Sequence, residues 1–169
     1  MNLSTTLQKE AQTRLNLLFD SAIKKSAVNE FAGLFRQPSL AYNQRGRIAA
    51  SALLQKNIIK INPTLYSQNT EYFISHIIAH ELAHIMVYQL YGLGVKPHGI
   101  EWQKVMLAVF DLAPKVTHTL DVSAVTMRQI TYECACQQVP LSLTRHNKVL
   151  NKKQSYICRK CNTTLTQVA

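Results

Sequence analysis

Apolar residues recur at helical spacing from the start of the chain. Leu7, Leu15, Leu18, Ala22 and Ile23 share a face, with Lys and Gln between them, so residues 3–32 are expected to form an amphipathic helix. "GLFRQP" (33–38) interrupts the pattern with a glycine and a proline. "SLAYN" then alternates like a short strand and "QRG" reads as a turn. "RIAASALL" followed by "NIIKINP" resembles a hairpin whose second strand ends at Pro63. Asn69 or Thr70 can cap a long helix running to about Tyr91, where Gly92 and Gly94 stop it. A further helix fits Gly99 to Leu112, before Pro114. From about Tyr132 the pattern changes to a cysteine module in which "LSLTRHNKVL" and "QSYICRKC" alternate as ribbon strands would, with Arg145, His146 and Lys148 near a hairpin tip. The expectation is an α+β core over residues 1–130 and a small ribbon over residues 131–169.

Composition narrows the class. At 169 residues, 47% hydrophobic and 17% charged, the chain can bury a core and has a globular balance. The opening "MNLSTTLQKE" has neither the basic nor the apolar region of a signal peptide. No apolar run approaches the roughly 20 residues of a membrane span. A cytoplasmic protein without membrane contact is expected. The net charge of +10 is uneven. From Cys134 onward Arg145, Lys148, Lys152, Lys153, Arg159 and Lys160 face no acidic residue. Such a module suits an anionic partner, nucleic acid being the commonest, although a solvated cationic face has the same composition.

The stretch "HELAH" (80–84) carries the sharpest chemistry. Residues four apart on a helix are turned by about 40°, so His80 and His84 can direct imidazole nitrogens at one ion. Glu81 then lies beside that ion, placed to take a proton from water as in an H-E-x-x-H hydrolase. Chance gives this pattern in roughly 0.7% of shuffled chains of this composition. The competing reading is a buried, hydrogen-bonded histidine pair. A catalytic zinc usually takes a third protein ligand, and His76, His98, His118 and His146 are available. His98 follows the glycine-rich turn "YGLGVKPHG", which can return a side chain to the site. His76 lies one turn before His80 and would have to bend back, so a place behind the ligands or facing the substrate suits it better. Trp102 and Met106, at i, i+4, read as core packing beneath.

Cys134, Cys136, Cys158 and Cys161 form two knuckles, "CAC" and "CRKC", and can close a tetrahedral, structural zinc site. An iron–sulfur cluster, a redox pair or a metal-free knuckle are the alternatives. A basic zinc ribbon can contact DNA through phosphates rather than bases, with Arg145, Lys148, Lys152 and Lys153 as the candidate residues.

"HELAH" followed by "HGIEWQKVM", with "LAYNQRG", "IIKINPTL" and the cysteine tail, resembles the SprT family of zinc metallopeptidases, relatives of the Spartan proteases. The likeness covers roughly residues 35–165. It implies a zincin-like metallopeptidase core, zinc ligands at His80, His84 and His98, and a catalytic glutamate at Glu81. It also implies a histidine near His118, a candidate for lining the site, and protein substrates on or crosslinked to DNA. Two functions follow: a zinc endopeptidase brought to DNA by its ribbon, or a non-catalytic zinc protein that regulates by binding DNA or a partner.

Overall fold

The computed structural model describes residues 3–28, 31, 33–125 and 129–168. It divides the chain into two compact units, Met1–Val125 and Thr126–Ala169. Among the described residues no helix is long and apolar enough to cross a membrane. The architecture is mixed, with helices, two small sheets and a C-terminal cysteine cluster.

The first unit begins with α1 (Thr5–Ser26), capped by the Ser4 hydroxyl, which accepts from the Leu7 N–H. Its buried residues Ala11, Leu15, Ala22 and Ser26 form one stripe. The helix expected over residues 3–32 therefore ends earlier, at Ser26; residues 29, 30 and 32 of that span lie outside the described residues. Three short strands follow, β1 (Ser39–Ala41), β2 (Ala50–Leu53) and β3 (Ile58–Ile61). β2 and β3 make the expected hairpin, closed by a 3₁₀ turn and by Asn57 in the left-handed region at φ 54°. β1 joins in parallel on the other side of β3, so the order is β1-β3-β2 and β2 is an edge strand. Ile59 and Ile61 point into the core on the strand period of two.

Pro63 does more than end the strand. Asn62 is the N-cap of a short helix, α2 (Pro63–Gln68), with proline in its first turn. The Asn62 side chain is buried; its oxygen accepts from Thr64 and Leu65, and its amide donates to the Gly46 and Ile48 carbonyls. One residue thereby fixes both the helix start and the loop entering β2.

The long helix expected from Thr70 to Tyr91 is interrupted. α3 (Thr70–Tyr72) leads into a π turn, Phe73–Ile77, where the Ile78 N–H reaches back five residues to the Phe73 carbonyl. Arg14 of α1 donates from Nε to the Ile74 carbonyl in this turn, at 2.9 Å. α4 (Ile78–Tyr91) then runs through the centre of the unit and ends at Gly92, φ 67°. Ile78, Leu82, Ala83, Ile85 and Met86 are fully buried, which makes α4 a rigid platform covered on most sides. α5 (Ile100–Ala108) packs against it with Trp102, Val105 and Met106. α5 is shorter than the span 99–112: its last carbonyls accept from Val109, Phe110 and Leu112, with Asp111 at φ 55°, well before Pro114.

In the second unit β4 (Gln129–Glu133) pairs antiparallel with β5 (Gln138–Ser142) and with β6 (Thr166–Gln167). The stretch "LSLTRHNKVL" corrects the expectation of ribbon strands. Only its first two residues belong to β5, and Leu143–Leu150 is a helix, α6. Ser142 caps it, accepting from the Arg145 N–H, and Leu143, His146 and Val149 fall three apart on its half-buried face. Arg145, His146 and Lys148 therefore sit on a helix rather than at a hairpin tip. The unit's core is small: Tyr132, Leu141, Cys158 and Leu165.

Candidate metal centre

His80 and His84 lie on successive turns of α4, and the Gly92–Gly99 reversal returns His98 to them. The three Nε2 atoms form a nearly equilateral triangle: 3.2 Å between His80 and His84, 3.2 Å between His84 and His98, 3.3 Å between His80 and His98. Protons alone cannot satisfy this triangle. Each nitrogen either carries a hydrogen or a lone pair, so at least two of the three must be alike and meet unfavourably. A cation accepting three lone pairs resolves the conflict. Ligands of a tetrahedral zinc at about 2.0–2.1 Å stand about 3.3–3.4 Å apart, which matches the triangle.

The surroundings favour neutral, ligand-ready imidazoles. Burial lowers His80 to about 4, with neighbouring His98 adding to the effect, and lowers His84 to about 3, with His80 and His98 adding. His98 is also lowered by burial. Hydrogen bonds to the backbone at Lys115 and at Pro97 orient His80 and His84. Because Nε2 of each ring points into the triangle, these bonds fall to Nδ1 and leave Nε2 with its lone pair. Trp102 forms the floor. Its ring is 4.8 Å from those of His80 and His98 and stacks at 21° on His84, and its Nε1–H points to the His80 carbonyl at 3.4 Å.

Glu81 is buried, and burial raises its carboxyl to about 7, opposed by a hydrogen bond from the Ala52 backbone on β2. Glu81 and the three histidines line a cavity of about 770 Å³ together with Ala49 and with Ala50, Ser51 and Ala52 of the edge strand. His76 and His118 line it too but stand outside the ligand triangle. His76 stacks on Tyr72, ring centres 4.8 Å apart, and its Nδ1 is 2.7 Å from the Ser75 hydroxyl. His146 belongs to the second unit, where its Nδ1 meets the Tyr132 hydroxyl at 3.0 Å. Trp102, read from sequence as core alone, is both core and wall of the site. The backbone partners at Ala52, Pro97 and Lys115 had no side-chain signal by which they could be found.

The cysteines form a second candidate metal site. The Sγ atoms of Cys134, Cys136, Cys158 and Cys161 all lie within 4.8 Å of one another. Cys134–Cys136 and Cys136–Cys158 are 3.6 and 3.8 Å apart, close to the roughly 3.8 Å expected around a tetrahedral zinc with 2.3 Å bonds. The Thr163 hydroxyl is the first cause holding Cys161 down to about 6, while hydrogen bonding to Cys161 and Cys134 lifts Cys136 to about 12. Both sites are consistent with zinc. Arg145, Lys148, Lys152 and Lys153 are exposed on α6 or just beyond it, and the Arg145 guanidinium lies 5.6 Å from the centre of the Tyr156 ring.

Comparison with known proteins places this chain in a family. The SprT-like family model matches residues 20–120. The chain is 43% identical over 136 residues to Protein SprT of Vibrio parahaemolyticus, covering 80% of this chain and 82% of that protein. It is 47% identical over 135 residues to Protein SprT of Pasteurella multocida, covering 80% and 81%. With Protein SprT of Actinobacillus succinogenes the identity is 41% over 162 residues, 96% of this chain and 92% of that one. No solved structure matches the chain. The chain belongs to the SprT-like family, a metallopeptidase-like family, and its histidine triad fits that class.

Proposed function

We propose that the chain is a zinc-dependent endopeptidase with a zincin-like core, acting in the cytoplasm on proteins associated with DNA or crosslinked to it. The observation that carries the peptidase reading is the placing of Glu81. It lines the same cavity as the triad, with its carboxyl hydrogen-bonded to the Ala52 backbone of an edge strand. Bound zinc would lower the pKa of a coordinated water to about 7 and polarise a carbonyl. The protein's own part is proton traffic and positioning. Glu81, whose carboxyl burial raises in the metal-free chain, is the group that can take a proton from the attacking water and deliver it to the leaving amine. Along the cavity, β2 has main-chain groups free of sheet pairing on its outer side, to which an extended polypeptide can add. A buried carboxylate at this place argues against a non-catalytic zinc protein.

The DNA-directed part rests on the tail. Arg145 and Lys148 share one face of α6, Lys152 and Lys153 follow it, and no acid from Cys134 onward offsets them. Four thiolates holding a structural zinc would stabilise a unit whose hydrophobic core is too small to stand alone.

The test is Glu81→Gln in the zinc-loaded protein, assayed on unfolded casein. The amide keeps the shape but cannot accept the proton, so fold and zinc content should persist while cleavage drops by about 10²–10⁴. Cleavage at the wild-type rate would refute the assignment.

A further inference from the structure

We propose that His118 is a catalytic residue of this hydrolysis, donating its Nε2–H to the oxyanion that forms on the substrate carbonyl. The inference rests on the peptidase reading and assigns a role to a side chain which that reading leaves idle. His118 lines the cavity shared by Glu81 and the triad, yet is not one of the three ligands.

The argument starts from one hydrogen bond. The Leu120 N–H donates to His118 Nδ1 at 3.3 Å. A backbone amide has only a proton to offer, so Nδ1 must present its lone pair. The neutral ring then carries its hydrogen on Nε2. His80 and His84 turn Nε2 into the triangle instead, where a metal would need its lone pair. One cavity thus holds rings prepared as metal ligands and a ring prepared as a donor.

The cationic side chains lining the cavity, Arg47, Lys96 and Lys115, are exposed and sit on flexible stems. His118 is half-buried and tied to the backbone two residues on. A donor fixed before the reaction stabilises developing charge without reorganising, which is what an oxyanion site requires. The step balances simply. Water oxygen bonds to the carbonyl carbon as the π pair moves onto the carbonyl oxygen. The His118 Nε2–H hydrogen-bonds that oxygen and keeps its proton. Glu81 carries the water's proton to the amine as the C–N bond breaks.

Two substitutions separate donor from anchor. In His118→Asn the amide oxygen can replace Nδ1 as acceptor for Leu120, but nothing replaces Nε2. In His118→Gln the amide nitrogen can replace the Nε2 donor, while the anchor is lost. The substrate is unfolded casein. The binding probe is a phosphonamidate peptide built on a mapped casein cleavage site, whose tetrahedral oxygens imitate the charged centre. His118→Asn should lose about 10²–10³ in kcat and bind the phosphonamidate correspondingly more weakly, with zinc content and thermal unfolding as in wild type. His118→Gln should retain more turnover than His118→Asn while melting lower. Wild-type turnover in His118→Asn, or lost turnover with unchanged phosphonamidate affinity, would overturn the proposal and leave the peptidase reading standing. No hydrolysis by the zinc-loaded wild type would overturn both.

Discussion

Replacing Trp102 with phenylalanine tests whether the buried indole holds the ligand triangle as well as the core. Trp102 is wholly buried and touches all three histidine rings. The smaller ring gives up roughly 50 Å² of buried apolar surface, about 1.3 kcal/mol at 25 cal/mol per Å². The void left beneath His84 adds about 1 kcal/mol. Loss of the long Nε1–H bond to the His80 carbonyl adds about 0.5 kcal/mol. The total is about 2–3 kcal/mol, which lowers the melting temperature by roughly 5–10 °C in a chain of this size. Metal affinity should fall as well, because the stacked His84 and the edge-on His80 and His98 lose their common wall. Outer-shell partners of metal-binding histidines are worth 10–100-fold in affinity, and about tenfold is expected here. Thermal unfolding of the metal-stripped chain measures the first effect, and zinc competition against a chelator measures the second. A chain that melts lower but holds zinc at the active site as tightly as wild type would refute the shared role.

Other outcomes follow from the same geometry. His98→Ala should weaken zinc at the histidine site by at least tenfold in chelator competition, while His76→Ala, outside the triangle, should leave it near wild type. In the metal-stripped chain His80 and His84 are held neutral in the fold and protonate on unfolding below about 6.5, so stability falls as pH drops from there toward about 4. Glu81, raised to about 7, works the other way, favouring the fold at the acid end, so Glu81→Gln should make the loss with falling pH steeper; chemical denaturation between pH 5 and 7 would show it. Changing Arg145 and Lys148 to Ala should reduce the salt slope of DNA binding by up to about two units at about 0.9 per phosphate. Lys9 and Lys24 are the matched control, since Lys25 pairs with Asp111, and equal losses would refute a dedicated tail surface.

The sequence made some features legible because their physics is local. The i, i+4 histidines on an apolar helix, the glycine stop at Gly92 and the β2–β3 hairpin each announce themselves within a few residues. What stayed hidden depends on distant or competing partners. The parallel pairing of β1 with β3 is non-local and has no turn residue to mark it. The Asn-Pro pair at 62–63 was visible as a strand end, yet it is equally an N-cap followed by proline, and the helix reading wins. In the tail, Leu-Ser-Leu alternates convincingly for three residues; the cap at Ser142 then outweighs the alternation, and α6 forms. The ligand set was within reach because a glycine-rich reversal can return His98. The donor state of His118 was not, since it depends on a backbone amide two residues away.

The π turn at Phe73–Ile77 has a consequence for phase. It inserts one residue more than an α-helical turn would use, so everything before it is out of step with α4 by about 100°. Tyr72 faces the cavity only because of that offset. A single-residue deletion within 73–77 would let the helix run on regularly and would relieve the irregular turn. Because the deleted residue is the one the π turn absorbs, Tyr72 would stay in step with α4, while the Ile74 carbonyl would be taken up by the regular helix and lost to Arg14. HELAH and the Tyr72 wall would both survive, and the damage would fall on the tie between α1 and the helix that carries them.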